Sequence, residues 1–103
     1  MLDHVGFQCA DLQASAAFYD AVLAPLGFAR VMDFDVAIGY GPEGSPDFWV
    51  SVFDSGEGFR ESHIAFEAAD RAAVLAFHAA AVAQGAEVLH EPRVWEEYHP
   101  NYF

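Results

Sequence analysis

The fold is decided by a stretch of sequence that occurs twice in the chain, as "HVGFQCADLQASAAFY" at residues 4–19 and as "HIAFEAADRAAVLAFH" at residues 63–78. Aligned without a gap, the two segments agree at seven of sixteen positions. The matched pairs are His4 and His63, Phe7 and Phe66, Ala10 and Ala69, Asp11 and Asp70, Ala14 and Ala73, Ala17 and Ala76, and Phe18 and Phe77. Two copies indicate a duplicated module rather than a solenoid array, which would need more copies.

Each copy opens with an alternating pattern that predicts a strand with one buried face. His4 and Gly6 share one face of the first strand, and His63 and Ala65 share the matching face in the second copy. The opposite faces are apolar and should pack against a helix. A histidine beside a residue with almost no side chain fills a core poorly, so we expect the histidine-bearing faces to line a cavity.

Each predicted strand is followed by a helix that begins after an aspartate. The carboxylates of Asp11 and Asp70 can accept hydrogen bonds from the free amides of a helix N-terminus. The pattern predicts one helix over residues 12–24 and another over residues 71–83, each stopped by a following glycine. The buried stripe of the first helix is predicted to contain Ala14, Ala17, Phe18, Ala21 and Val22.

The rest of the chain indicates the domain organisation. After the first helix, "FARVMDFDV", "AIGYG" and "DFWVSVFD" predict three strands, so the first half is a β-α-β-β-β module. The second half begins in the same way, with "AEVLHE" as its second strand, but the sequence stops before its last strands. We expect one α+β domain over residues 1–103, with a first module at about 1–57 and an incomplete second module at about 58–103.

The charge of the chain argues against several classes of partner. Sixteen acidic residues against four basic ones, all of them arginine, give a formal net charge of −12. Phosphate backbones and anionic membranes repel such a surface, so we expect neither nucleic acid nor a membrane as a partner. The single cysteine and the absence of a secretory signal pattern at residue 1 favour a cytoplasmic protein.

The duplicated segments resemble the vicinal oxygen chelate superfamily, which includes glyoxalase I, bleomycin-resistance proteins and extradiol dioxygenases. The resemblance is carried by H-x-x-x-x-x-x-D-L-x-x-S-x-x-F-Y from His4, by "LGF" after the first helix, and by the second copy from His63. It implies paired βαβββ modules forming a curved mixed sheet around a cavity, a homodimer and a small oxygen-bearing organic substrate. It also implies a divalent metal (Fe, Mn, Ni or Zn), with His4 and His63 at the first-strand ligand positions.

Two departures from the family pattern bear on the chemistry. A glyoxalase-like protein would carry a carboxylate in the fourth strand, where this chain has Trp49, Val50 and Ser51. This difference favours dioxygenase-like over glyoxalase-like chemistry. The short second module also ends before the place of a final glutamate ligand, and two neutral ligands such as His4 and His63 hold a metal weakly.

The C-terminal segment "WEEYHPNYF" has two interpretations. In the first, His99 is a catalytic general acid–base and Tyr102 a catalytic hydrogen-bond donor that orients the substrate. In the second, the segment is a loop with aromatic anchors, and Pro100 sets its turn.

Three classes of function remain open at this point. The leading one is metal-dependent chemistry, in which the metal acts as a Lewis acid on neighbouring substrate oxygens. The second is a non-catalytic protein that binds and sequesters a drug or toxin, as bleomycin-resistance proteins do. Its cavity could have an aromatic wall for a planar ligand, drawn from Phe34, Phe48, Trp49, Phe53 and Phe59. The third is a half-domain that completes its sheet by strand exchange with a neighbour.

Overall fold

The computed structural model describes residues 2–52 and 62–103. Its elements are β1 (Val5–Gln8), α1 (Leu12–Leu23), a 3-10 turn (Ala24–Leu26), β2 (Ala29–Asp33), β3 (Ala37–Gly41), β4 (Phe48–Ser51) and α2 (Arg71–Ala83). The first half therefore has the predicted β-α-β-β-β order, and both helices begin at the predicted residue. The predicted module boundary near residue 57 lies outside the described residues. Neither helix among the described residues has the length and the apolar character that a membrane span requires.

Both helices begin at the aspartates that the sequence marks as caps. The Asp11 carboxylate accepts a hydrogen bond from the backbone N–H of Ala14 at 3.1 Å, and Asp70 accepts one from Ala73 at 2.8 Å. Each bond satisfies an amide that has no partner inside its helix. After α1 and the 3-10 turn, Gly27 has a φ of +82°, a left-handed conformation that glycine adopts without steric cost.

The four strands form one mixed sheet in the order β1-β4-β3-β2, which confirms the α+β class. β1 runs parallel to β4, while β3 is antiparallel to both β4 and β2. One face of the sheet is covered by α1, and the buried core between them consists of Leu12, Ala16, Val22, Leu23, Ile38, Tyr40, Phe48 and Val50. Because side chains alternate along a strand, Gly39, Trp49 and Ser51 lie on the opposite face, which we call the open face.

The predicted stripe of α1 is partly wrong. Val22 is buried as expected, but Ala14 and Ala17 are exposed, whereas Leu12 and Ala16 are buried. The helix carries alanine on several sides, so its small residues do not determine which side faces the sheet. The larger apolar side chains determine it instead, because they bury more surface.

The second half forms its predicted helix but not its two predicted strands. Residues 62–70, which include "SHIAFEA", and residues 86–91, "AEVLHE", contain no strand. A strand needs a hydrogen-bonding neighbour, and every ladder in the described sheet joins strands of the first half. The second copy instead packs through aromatic rings, because Phe66 lies 5.1 Å from Phe48 and 6.1 Å from Phe77 between ring centroids.

A hydrogen-bond network ties α1 to β2 and β3. The Tyr40 hydroxyl, on a fully buried residue, donates to Asp20 Oδ1 at 3.0 Å. Arg30 donates to both oxygens of the same carboxylate, at 2.8 and 2.7 Å, and reaches Asp33 at 3.0 Å. The bonds from Arg30 lower the pKa of Asp20, and burial raises the pKa of Tyr40. Such a bidentate, charge-assisted pair fixes the helix at one position on the sheet.

Candidate functional site

A hollow of about 760 Å³ lies on the open face of the sheet. Residues from all four strands and from the loop between β3 and β4 line it: Asp3, His4, Gly6, Met32, Ala37, Gly44, Ser45, Pro46, Asp47, Trp49 and Ser51. The expectation that the face bearing His4 and Gly6 lines a cavity is therefore confirmed for the first copy. Its volume is in the range of pockets that bind small organic molecules.

The indole of Trp49 lines this hollow, and we call it the floor because it lies across the sheet at Gly39. Three neighbours contact it. Trp49 faces Gly39 directly in the register of β3 and β4. Its Nε1–H donates a hydrogen bond to the carbonyl oxygen of Pro46 at 3.0 Å. The ring of Phe34 is parallel to the indole within 3°, with 6.3 Å between centroids, which is the range of offset-stacked pairs. These contacts restrict the indole to one orientation.

The described polar groups around the hollow include two carboxylates, those of Asp3 and Asp47. His4 is exposed, and its Nδ1 lies 2.7 Å from Oδ1 of Asp3. The hydroxyl of Ser45 donates to the carboxylate of Asp47. The lining residues that the structure describes include no arginine. The carboxylates of Asp3 and Asp47 in the described lining favour cations over anions.

His63, the second predicted metal ligand, does not line this hollow. Its side chain is exposed. Ala65 and Glu67, which alternate with it along the chain, line a different hollow of about 500 Å³ that also includes Tyr102. The open-face hollow thus takes its histidine from the first copy alone.

His99 and Tyr102, the predicted catalytic pair, lie together in the C-terminal segment. Their rings meet edge to face with 5.2 Å between centroids, and the backbone N–H of Asn101 donates to His99 Nδ1 at 3.3 Å. Tyr102 also contacts the ring of Tyr98 at 5.2 Å, and its carbonyl oxygen accepts a hydrogen bond from the Trp95 backbone N–H at 2.6 Å. Neither predicted residue lines the open-face hollow.

The described residues do not form a metal centre by themselves. Among residues 2–52 and 62–103, no three His, Cys, Asp or Glu side chains come close enough together to hold an ion. Metal sites in proteins ordinarily use three or four donors. On the open face of β4, where a glyoxalase-like protein would have a carboxylate, this chain places Trp49 and Ser51.

The five aromatic residues considered as a cavity wall have different positions. Trp49 lines the hollow and Phe34 stacks beside it. Phe48 is buried in the core on the helix side of the sheet. Phe53 and Phe59 lie outside the described residues.

Sequence reasoning did not identify Pro46 and Met32, which line this hollow, or Gly39, which lies against the indole of Trp49. A usable signal was present in the pairing of "AIGYG" with "DFWVS", which sets Gly39 opposite Trp49. A glycine inside a strand commonly marks a place where an aromatic ring from the neighbouring strand lies across the backbone. Finding it required the strand register, which the sequence pattern alone did not provide.

Comparison with known proteins agrees with this fold. The family model of the Glyoxalase/Bleomycin resistance protein/Dioxygenase superfamily matches residues 1–97. The chain is also similar to a glyoxalase/bleomycin resistance protein from Albidiferax ferrireducens T118, whose crystal structure matches with a TM-score of 0.75. The two chains are 31% identical, and the match covers 89% of this chain and 76% of that chain. No curated protein matches the sequence.

Proposed function

Since the chain belongs to the glyoxalase/bleomycin resistance protein/dioxygenase superfamily, we propose that its open-face hollow binds and sequesters a small planar organic molecule. The observation that supports this most directly is the indole of Trp49, which Pro46 and Phe34 hold in place on the floor of the hollow. A ring fixed before the ligand arrives loses little conformational entropy on binding.

The size and polarity of the hollow favour a flat, weakly polar ligand. Its volume of about 760 Å³ accommodates a molecule of two or three fused rings. Aromatic pairs gain about 0.5–1.5 kcal/mol beyond the burial of their surface, and only a flat ligand can gain this from an indole floor. Asp3 and Asp47 at the edge, together with the net charge of −12, favour an uncharged or positively charged molecule.

Calorimetric titration with 2-naphthol, a neutral planar probe, tests this proposal. Replacing Trp49 by alanine should weaken binding by about fivefold or more, because the stacking surface is lost. Trp95→Ala is the matched control, since Trp95 lines another hollow, beside α2, and its loss should leave the affinity unchanged. Absence of binding to the wild type, or equal binding by the Trp49→Ala variant, would contradict the proposal.

A second candidate is metal-dependent chemistry of the dioxygenase-like kind. It is favoured by His4, which lies at the edge of the same hollow beside Gly6. In this hypothesis His4 and His63 hold a divalent metal, and His99 and Tyr102 act on the substrate. His63 does not line the hollow that contains His4, and no three donor side chains of the described residues come together. These residues therefore do not fit a metal site on their own, and no reaction step is assigned to a metal.

Metal analysis of the purified protein distinguishes the two candidates. Under the metal hypothesis, the wild type retains about one Fe, Mn, Ni or Zn ion per chain after dialysis, and the His4→Ala/His63→Ala double variant loses it. Metal that survives both substitutions excludes these ligands. Binding of 2-naphthol that is unchanged after complete metal removal supports the sequestering function instead.

A further inference from the structure

We infer that Gly39 makes the open-face hollow selective for flat rings, because its missing side chain lets the indole of Trp49 lie across β3. The inference rests on the proposed function, since it concerns the same hollow and its ligand. Beyond that function, it assigns to Gly39 the role of positioning the indole of Trp49, and it specifies that the hollow prefers flat ligands.

The contacts around Gly39 leave no space for a side chain. A Cβ added there would lie 2.9 Å from Cε2 and Cζ2 of Trp49 and 2.9 Å from Cβ of Pro46. Real Cβ atoms essentially never show contacts below 3.0 Å, so at least one of these neighbours would have to move. Gly39 and Trp49 are direct partners in the ladder, so the benzene part of the indole rests on the backbone of β3.

Gly6 is the strand glycine that lines the hollow itself, and it differs from Gly39 in its contacts. A Cβ added at Gly6 would lie 3.6 Å from the Cβ of Trp49, an ordinary van der Waals distance. The two glycines therefore have different roles beside the same tryptophan. At Gly39 the space is occupied by the indole, whereas at Gly6 a methyl group fits without displacing it.

A methyl group at position 39 should act on the indole first. The indole atoms lie at the far end of a side chain and can rotate away, whereas the Cβ of Pro46 belongs to a ring that is closed onto the backbone of the loop between β3 and β4. Rotation would lift the indole from the sheet into the hollow and strain its hydrogen bond to the Pro46 carbonyl. A flat ligand would then lose its parallel surface, while a ligand that only fills volume would lose less.

The discriminating experiment compares 2-naphthol with decahydro-2-naphthol, which has the same carbon skeleton but is saturated and not flat. Calorimetric titrations would use the wild type, Gly39→Ala and Gly6→Ala. We expect the wild type to bind 2-naphthol about fivefold more tightly than the saturated probe, a preference that the gain from stacking supplies. Gly6→Ala adds a methyl group to the lining of the hollow, so it should weaken the binding of both probes alike and keep the ratio of their affinities. In Gly39→Ala this preference should fall to about twofold or less. If Gly39 only stabilised the strand, Gly39→Ala would weaken the binding of both probes equally and leave the preference for 2-naphthol unchanged.

The possible failures are distinguishable. If the wild type binds neither probe, the proposed function is wrong. If it binds both equally, the function stands and the preference for flat rings is wrong. If Gly39→Ala keeps the wild-type preference, the role of Gly39 is wrong.

A measurement of thermal stability covers the case in which Gly39→Ala does not fold well enough to titrate. The melting temperature would be measured for Gly39→Ala in the wild type and in a Trp49→Phe background. Phenylalanine has one ring and lacks the fused ring system of the indole, whose Cε2 and Cζ2 atoms the added methyl group would meet. The fall in melting temperature should therefore be smaller in the Trp49→Phe background. An equal fall in both backgrounds would show that the indole is not what Gly39 accommodates.

Discussion

Replacement of Tyr40 by phenylalanine tests the network that fixes α1 on the sheet. The substitution keeps the buried ring and therefore creates no cavity in the core. It removes only the hydroxyl group, which lies 3.0 Å from Asp20 Oδ1 and 3.3 Å from the carbonyl oxygen of Ala16. A hydrogen bond to a charged group contributes about 1.5–3 kcal/mol. Asp20 keeps its bonds from Arg30, and its side chain is 45% exposed, so water replaces part of the loss. We expect the free energy of unfolding to fall by about 1–2 kcal/mol.

Urea denaturation followed by circular dichroism gives this difference directly. A domain of this size has a free energy of unfolding of about 5–10 kcal/mol, so the loss is easily resolved. Tyr19→Phe is the matched control, because the Tyr19 hydroxyl makes no hydrogen bond within the described part of the chain. It should cost less than about 0.5 kcal/mol. Equal effects of the two substitutions would contradict the role given to the Tyr40 hydroxyl.

Three further outcomes are expected. Because Arg30 lowers the pKa of Asp20 in the folded state, the ionised carboxylate stabilises the fold above its ordinary pKa. This stabilisation is lost as the pH falls through the lowered pKa. In Arg30→Gln it is largely absent at every pH, so the urea concentration at the midpoint of unfolding should fall less on acidification than it does in the wild type. Naphthalene-2-sulfonate, which is an anion, should bind more weakly than 2-naphthol, and added salt should reduce the difference between the two affinities. Equal affinities at low salt would show that Asp3 and Asp47 do not repel anions from the hollow. The resemblance to the superfamily implies a homodimer, so sedimentation should give twice the mass of the 11.3 kDa chain. The mass of a single chain would contradict the expected dimer.

The first half of the fold could be predicted because its local signals agree with one another. Asp11 marks the start of α1, the alternation around Gly6 defines a two-faced strand, and turn residues separate the later strands. The second half shares these signals, yet only its helix forms, because a cap is satisfied locally, as Asp70 and Ala73 show. A strand depends on a neighbour elsewhere in the chain, and alternation of residues 63–67 does not supply one.

The candidate site could be predicted only in part, for a related reason. The repeat indicated that His4 faces a cavity, and alternation was sufficient for that. The contact between Gly39 and Trp49 depends on the register of two strands, which sequence periodicity does not encode. The pairing of His4 with His63 was inferred from symmetry between the copies, but the structure describes His63 outside the strands and outside the open-face hollow.

The most direct measurement is a two-dimensional amide NMR spectrum of the assigned protein, recorded with increasing 2-naphthol. If the open-face hollow is the binding site, the largest shifts should occur at the amides of Gly6 and Gly39 and at the indole N–H of Trp49. Shifts concentrated instead at Trp95 or Tyr102, which line the hollows of the second half, would place the ligand elsewhere and contradict the account.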